Sequence, residues 1–291
     1  MGYGQTGSGK SFTMSGLRNN WEHRGLVPRL LTQMFAEKAK RKKINKIEYC
    51  ISFIEIYGKE TKDLLLSTDN NKVKINEREP FKEISMIPVD NENECLKKIF
   101  EGEIRRSIAI GSTYPASHLS MSVITFHVSN LSLITSWGIV TTAKIHIVET
   151  AGTGTVGKNS CWKTATDIGM ANLMKTQLEQ FFSHIESPAT INISRSNNLF
   201  KILGNAFSVS SIIRFISHIR ITEEDLDITL STLRLTAKIN EVNALKKELM
   251  LNNLILNQEA LMNISKSRME QINRSIFNFL NDKISDFTLF R

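Results

Sequence analysis

The chain has 291 residues, of which 41% are hydrophobic and 23% charged, and this is the composition of an ordinary folded protein rather than a disordered or fibrous one. No apolar run approaches the roughly 18 residues that a membrane-spanning helix needs, and no signal peptide precedes the first motif, so we expect no membrane insertion. The formal net charge of +8 favours an acidic partner, while three scattered cysteines indicate neither a disulfide framework nor a zinc site and fit the reducing cytoplasm.

The first motif stands at the amino end, where residues 4–11 read GQTGSGKS and match the phosphate-loop pattern GxxxxGK[ST]. In such a loop, glycines let backbone N–H groups approach the β-phosphate, the lysine neutralises phosphate charge and the hydroxyl ligates Mg²⁺. Lys10 and Ser11 fill the last two roles here. The motif predicts binding of a nucleoside triphosphate, followed by a helix from Lys10 to Met14, but it does not separate ATPases from GTPases or kinases.

The segments up to residue 106 alternate between helix and strand patterns. Apolar residues recur at helical spacing in 26–35 and predict a helix, whose basic end at 38–46 we interpret as solvent-exposed. Alternating apolar residues from Ile47 to Phe53 predict a strand that turns at Gly58 into a short helix. Residues 91–106 read as a further helix.

The remaining segments continue the alternation. Residues 120–134 and 141–152 predict two strands joined by a hairpin, and helices are predicted at 167–185 and 223–256 on either side of a short buried strand at 210–219. Strands and helices alternating around a phosphate loop predict a three-layer α/β architecture.

Five stretches in chain order resemble the motor domain of kinesins. They read GYGQTGSGKSFTM, ISFIEIYGKETKDLL, KIHIVETAGTG, ANLMKTQLEQF and TLSTLRLTAK. The resemblance implies a P-loop NTPase of the kinesin fold, with a central mixed sheet over 1–238 and a helical neck-like extension over 239–291. It also implies that the amino-terminal strands of the family are missing here. Two further stretches, HRGLVPR and FEGEIRR, lean toward the ninth kinesin subfamily, which is associated with cilia and flagella.

The same resemblance implies a site for ATP and Mg²⁺. Its nucleotide-binding residues would be Gly4, Gln5, Thr6, Gly7, Ser8, Gly9, Lys10, Ser11 and Phe12. Ser11 and Glu149 would hold the metal. The catalytic set would comprise Ser117 as the switch I hydroxyl, Glu149, and Gly152, whose backbone N–H would meet the γ-phosphate.

Both switch regions depart from the family pattern. Switch I usually reads NxxSSRSH, whereas residues 114–121 read YPASHLSM, so that Leu119 replaces the arginine. Its acidic partner in switch II is replaced by Gly154, and the usual aspartate is Glu149. Removing both members of a buried ion pair can be nearly neutral for folding, but such groups are worth roughly 10³ to 10⁵ in rate. We therefore expect slow or absent hydrolysis, although neutral drift explains the substitutions equally well.

A kinesin-like chain would bind microtubules and lie on the microtubule cytoskeleton of the cytoplasm or of a cilium or flagellum. The candidate microtubule-binding residues are Lys163, Lys175, Arg195 and Lys201. The carboxy-terminal helix would support a homodimer or heterodimer, although Asn252 and Glu259 interrupt its heptad pattern. The alternative is a hydrolysis-deficient pseudo-motor that acts as a microtubule- or partner-binding module. Nucleic-acid binding is not expected, because basic residues and aromatics do not interleave, and no NKxD motif indicates a GTPase.

Overall fold

The computed structural model describes residues 1–17, 19–68, 71–107, 118, 120–134, 138, 140–152, 162–183, 197–207, 211–241 and 266–267. The chain divides into two compact units, and the larger consists of Met1–Phe207 and Ser211–Asn240. The predicted extension over 239–291 lies almost wholly outside the described residues. The domain boundary at 238 therefore stays a prediction.

The described residues of the larger unit form a mixed sheet of seven strands. These are β1 (Gly2–Gly4), β2 (Asn45–Tyr57), β3 (Glu60–Asp63), β4 (Ile87–Val89), β5 (Met121–Ser132), β6 (Val140–Glu149) and β7 (Ile216–His218). The strand order is β3-β2-β5-β6-β1-β7, and β4 also pairs with β2. β1 runs parallel to its neighbours β6 and β7, whereas the pairs formed by β2, β3, β4, β5 and β6 are antiparallel.

Six helices accompany the sheet within the described part of the chain. They are α1 (Lys10–Met14), α2 (Leu26–Arg41), α3 (Glu92–Arg105), α4 (Trp162–Ser183), α5 (Asn198–Leu203) and α6 (226–241). The start of α3 follows from its sequence, since the Asn91 side chain accepts the Glu94 N–H at 2.9 Å and caps the first turn. The end of α2 is basic, with Lys38, Lys40 and Arg41 in its last turn, which suits the helix dipole.

Two hydrophobic clusters lie on opposite faces of the sheet. Residues of α2 and α3 pack with alternate residues of β2 and β5, including Phe53 and Phe126, on one face. Residues of α4, α5 and α6 pack with the intervening positions, including Ile54 and Val123, on the other. The predicted three-layer α/β architecture with a central mixed sheet is therefore confirmed. Because both faces are covered, β2 is buried almost continuously from Ile51 to Ile56.

The short helix predicted after Gly58 is wrong, because this segment forms β3 in an antiparallel hairpin with β2. Gly58 adopts the left-handed conformation, with φ 58°, that a tight hairpin turn requires. Polar side chains of this segment are buried and hydrogen-bonded inside the fold. The buried Asp63 carboxylate accepts the backbone N–H groups of Leu65 at 2.9 Å and Ser85 at 2.7 Å.

The other predicted elements are present, α1 with its predicted bounds, and the predicted carboxy ends of two helices, at 185 and 256, lie outside the described residues. The hairpin of β5 and β6, the helices α1, α2 and α3 and the short strand β7 are confirmed. The strand β7 is only half-buried over most of its length, with His218 its buried residue. α4 begins at Trp162, five residues before the predicted start, and α6 begins at 226 after a single 3₁₀ turn at Glu223–Asp225. Within the described residues, no helix is long and apolar enough to cross a membrane.

The segment before the phosphate loop forms a strand inside the sheet. Gly2 pairs with Glu149 of β6 on one side and with Ile216 of β7 on the other. The Tyr3 hydroxyl donates to Glu179 Oε1 of α4 at 2.9 Å, which ties β1 to the helical layer. The loop thus follows a strand that pairs in parallel on both sides, with β6 and β7.

Candidate functional site

The phosphate loop connects β1 to α1 and is shaped by glycines. At Gly4 the backbone has φ 151°, and a Cβ added there would lie 2.0 Å from the backbone oxygen of His218, so that no side chain fits. Gly9 caps α1 in the left-handed conformation, with φ 91°. Among the described residues, a Cβ at Gly9 would meet nothing within 4 Å. The loop is therefore packed tightly against β7 at its start and open at its end, as a cradle for a ligand requires.

The buried Lys10 side chain is hydrogen-bonded to the backbone of the phosphate loop. Its Nζ donates to the backbone oxygens of Gly4 at 2.9 Å and Gln5 at 2.8 Å. Burial lowers the pKa of Lys10, the Glu149 carboxylate raises it and the nearby Arg106 charge lowers it, and the net pKa is about 8. The lysine is thus held at the loop, with carbonyl partners that phosphate oxygens can replace.

Ser11 and Glu149, the two predicted metal ligands, are in direct contact. Glu149 ends β6 and lies beside β1, and its Oε1 accepts a hydrogen bond from the Ser11 hydroxyl. The sheet register therefore brings together residues 138 positions apart. A hydroxyl and a carboxylate are hard oxygen donors of the kind that Mg²⁺ prefers, so this donor set fits the metal.

Arg106 is the main residue of the site that sequence reasoning missed. It follows α3, and its Nη1 lies 2.7 Å from Glu149 Oε2 and 3.2 Å from Glu103 Oε2. Its side chain is fully buried, and among the described residues its Nε and Nη2 have no hydrogen-bond partner. Burial raises the pKa of Glu149, but Arg106 and the Ser11 hydroxyl outweigh this, and the net pKa is lowered. Its one sequence signal was its place at the end of a helix just before residues 107–121.

Gly152 meets the loop from the switch side. Its N–H donates to the His118 backbone oxygen at 3.4 Å, and a Cβ at Gly152 would lie 2.4 Å from Thr6 Oγ1. The structure therefore places this predicted residue against the phosphate loop, where a side chain would collide with Thr6.

Ser8, also predicted at the site, donates a hydrogen bond from its hydroxyl to the Gln5 backbone oxygen at 2.7 Å.

The other predicted residues fall in different places. Phe12 is 50% exposed on α1, with its ring 6.1 Å from that of His23. Lys175 of α4 has a side chain only 16% exposed, 3.5 Å from Glu179, whereas Lys201 lies on α5, 3.3 Å from Asn198 Oδ1. The remaining predictions lie outside the described residues: Ser117, Leu119, Gly154, Arg195 and the side chain of Lys163.

Comparison with known proteins gives a consistent answer. A family model described as the kinesin motor domain matches residues 1–242. Kinesin-like protein KLP1 of Chlamydomonas reinhardtii is 29% identical over 245 residues, covering 81% of this chain and 31% of that protein. Kinesin-like protein KIF9 of Homo sapiens is 32% identical over 167 residues, covering 55% of this chain and 21% of that protein. The chain thus spans less than two thirds of the length of these curated relatives.

A solved structure is similar in fold. It is described as a KIF14 dimer in a two-heads-bound state with AMP-PNP, in complex with a microtubule. The TM-score is 0.69 at 23% sequence identity, and the match covers 81% of this chain and 69% of that one.

Proposed function

The chain belongs to the kinesin motor domain family, and from this premise we propose that it binds Mg·ATP and couples ATP hydrolysis to movement along microtubules. The observation that supports the proposal most directly is the contact between Ser11 and Glu149 under the phosphate loop. It joins the loop hydroxyl to the switch II carboxylate, the two groups that a magnesium-dependent NTPase needs in one place.

We assign each residue of the site a role in binding Mg·ATP. Lys10 would turn from the backbone oxygens of Gly4 and Gln5 to phosphate oxygens, and Ser11 and Glu149 would hold Mg²⁺. When bound, the metal neutralises charge on the phosphates. Arg106 holds one oxygen of Glu149, which restricts the orientation of that carboxylate. These roles, together with those of the other predicted loop residues and of Ser117, are part of the proposal.

The proposed partner is the microtubule, an acidic polymer that suits a chain of net charge +8. The similar KIF14 structure was solved in complex with a microtubule. We retain Lys163, Lys175, Arg195 and Lys201 as candidate contacts, with long-range attraction from the whole basic surface. The proposed location is the microtubule cytoskeleton, and the likeness to KIF9 accompanies the narrower proposal of a cilium or flagellum. Dimerisation through residues 239–291 belongs to the same proposal.

A titration with a fluorescent ATP analogue, followed by an ATPase assay with and without microtubules, tests this function. We expect saturable Mg²⁺-dependent binding and a turnover that microtubules increase. The variant Lys10→Ala should lose binding, because it removes the one buried cation aimed at the loop within the described residues. Absence of saturable binding by the unmodified chain would overturn the proposal.

A second candidate is a hydrolysis-deficient pseudo-motor that binds nucleotide and microtubules without turnover. One observation favours it: the buried Arg106 Nη1 lies 2.7 Å from Glu149 Oε2, so a cation of the chain itself already engages one oxygen of the proposed metal-binding carboxylate. A single-turnover assay distinguishes the two. Binding and cosedimentation with microtubules without phosphate release would select the pseudo-motor, whereas phosphate release would select the motor.

A further inference from the structure

A second buried carboxylate lies close to the switch region, on β2. Glu55 is 2% exposed and pairs in register with Ser122 of β5. It accepts three hydrogen bonds: from the Ser107 backbone N–H at 2.8 Å, the Ser107 hydroxyl at 2.9 Å and the Ser120 hydroxyl at 2.5 Å. All three groups are donors, so the carboxylate acts throughout as the acceptor.

Of the two serines held by Glu55, Ser107 precedes the stretch aligned with switch I, residues 114–121, and Ser120 lies within it. Ser107 comes directly after Arg106, and Ser120 comes directly before β5. His118 lies between the two serines in sequence, and it contacts Ser107, since its Nδ1 lies 3.0 Å from the Ser107 backbone oxygen. One carboxylate therefore anchors the described residues on both sides of His118.

His118 in turn contacts switch II beside the phosphate loop. The His118 backbone oxygen accepts the N–H of Gly152, and Gly152 packs on Thr6 of the phosphate loop. The path from Glu55 to the loop thus runs through Ser107 to His118 and then to Gly152, while the same carboxylate also holds Ser120. Each step of this path is a hydrogen bond or a packing contact.

We propose that Glu55 is a positioning residue for the triphosphate: by holding Ser107 and Ser120, it keeps the His118 oxygen where it retains the Gly152 N–H beside the phosphate loop. This inference rests on the proposed function. A γ-phosphate would replace the His118 oxygen as the acceptor of that N–H, and the Gly152 N–H, already held in place, would not have to be ordered at that moment. A diphosphate has no γ-phosphate and makes no use of the arrangement. Glu55 therefore affects the preference for triphosphate over diphosphate, not nucleotide binding in general.

Equilibrium titrations with fluorescent ADP and fluorescent AMP-PNP on the full chain test the proposal. Glu55→Gln should weaken binding of the triphosphate analogue by about fivefold, the worth of about one hydrogen bond, and leave ADP affinity unchanged. Asp63→Asn is the matched control, because it neutralises another buried carboxylate on the neighbouring strand, bound to Leu65 and Ser85 and not to the switch segment. It should leave the ratio of the two affinities unchanged.

The outcomes separate the inference from the proposed function. Equal weakening of both nucleotides by Glu55→Gln, or no change in either, would overturn the positioning role while nucleotide binding stands. An unmodified chain that binds neither nucleotide overturns the proposed function, and the inference falls with it. Should Glu55→Gln fail to fold, Ser120→Ala removes one of the three hydrogen bonds and should show a smaller loss, about twofold, confined to the triphosphate.

Discussion

Arg106 Nη1 lies 2.7 Å from Glu149 Oε2 in a buried ion pair that joins the end of α3 to the end of β6. Sequence comparison placed the switch I–switch II ion pair of the family at positions 119 and 154, where this chain has leucine and glycine. An arginine at 106 and a glutamate at 149 nevertheless connect the segment that leads into switch I with switch II. The loss inferred from sequence is therefore accompanied by a different connection between neighbouring segments.

This pair predicts a strong asymmetry between single and double variants. Arg106→Met should lower the free energy of unfolding by about 3–5 kcal/mol, because it leaves the Glu149 carboxylate buried without its cation. The double variant with Glu149→Gln should be less destabilised than the sum of the two single changes. Urea unfolding of the three variants measures both effects. Additive losses would show that the two side chains do not interact in solution.

Lys10 predicts a nucleotide affinity that falls in mildly alkaline solution. Its pKa, lowered by burial to about 8, means that the free site loses the lysine charge as the pH rises above that value. Phosphate binding needs the charged form, so affinity for a fluorescent ATP analogue should fall by up to about tenfold per pH unit above pH 8. Lys10→Arg stays charged over this range and should remove the pH dependence, whatever its own affinity. A wild-type affinity that is flat from pH 7 to 9 would contradict the prediction.

Local sequence patterns were sufficient where spacing alone determines the structure. The phosphate loop follows from glycines and a Lys-Ser pair at set intervals, and the β5–β6 hairpin follows from two β-rich stretches with a short separator. The helix predicted after Gly58 failed for a physical reason. Thr61 and Asp63 look like exposed polar residues in sequence, but in the fold they are buried and hydrogen-bonded.

The partners of the buried charged residues could not be predicted from local sequence patterns. Arg106 is hydrogen-bonded to Glu149, which is 43 positions away in the sequence, and Glu55 to Ser120, which is 65 positions away. A charged residue near a helix end or inside a strand reads as solvent-exposed until its distant partner is known. The nucleotide-binding loop was therefore predictable, whereas the groups that support it from α3 and β2 were not.

The close contact of Gly152 with Thr6 allows a steric test of the packing between switch II and the phosphate loop. Gly152→Ala would place a methyl group 2.4 Å from Thr6 Oγ1 and 3.1 Å from Thr6 Cα, so one of the two segments must move. We expect the affinity for a triphosphate analogue to fall by about tenfold, which corresponds to roughly 1.4 kcal/mol of strain or lost contact. Fluorescence titration measures it.

Two further variants check the cause of that loss. Gly169→Ala adds the same methyl group to the exposed side of α4, where it would meet no atom of the described residues within 4 Å, and should leave binding unchanged. Thr6→Ala combined with Gly152→Ala removes the closest clashing atom and should restore part of the affinity. If the double variant binds no better than Gly152→Ala alone, the collision with Thr6 is not the cause.

His127 and His146 both contact Phe81 on one face of the sheet. The Phe81 ring lies 4.8 Å from that of His127 and 6.4 Å from that of His146, and Lys144 Nζ lies 4.5 Å from the Phe81 ring centre. Both histidines are also hydrogen-bonded, to Ser52 and Thr125 respectively. Burial first, and the Lys144 charge second, lower the pKa of each histidine to about 4.

This cluster predicts that the fold loses stability in mild acid. Between the unfolded pKa near 6.5 and the folded value near 4, the unfolded chain binds more protons than the folded one, so the free energy of unfolding falls as the pH drops. Each histidine contributes a slope of at most about 1.4 kcal/mol per pH unit, reduced by its partial exposure. Urea unfolding between pH 7 and pH 5 measures this slope. The double variant His127→Gln, His146→Gln should flatten it, whereas His23→Gln at the exposed surface should not, and equal slopes in all three proteins would assign the acid sensitivity elsewhere.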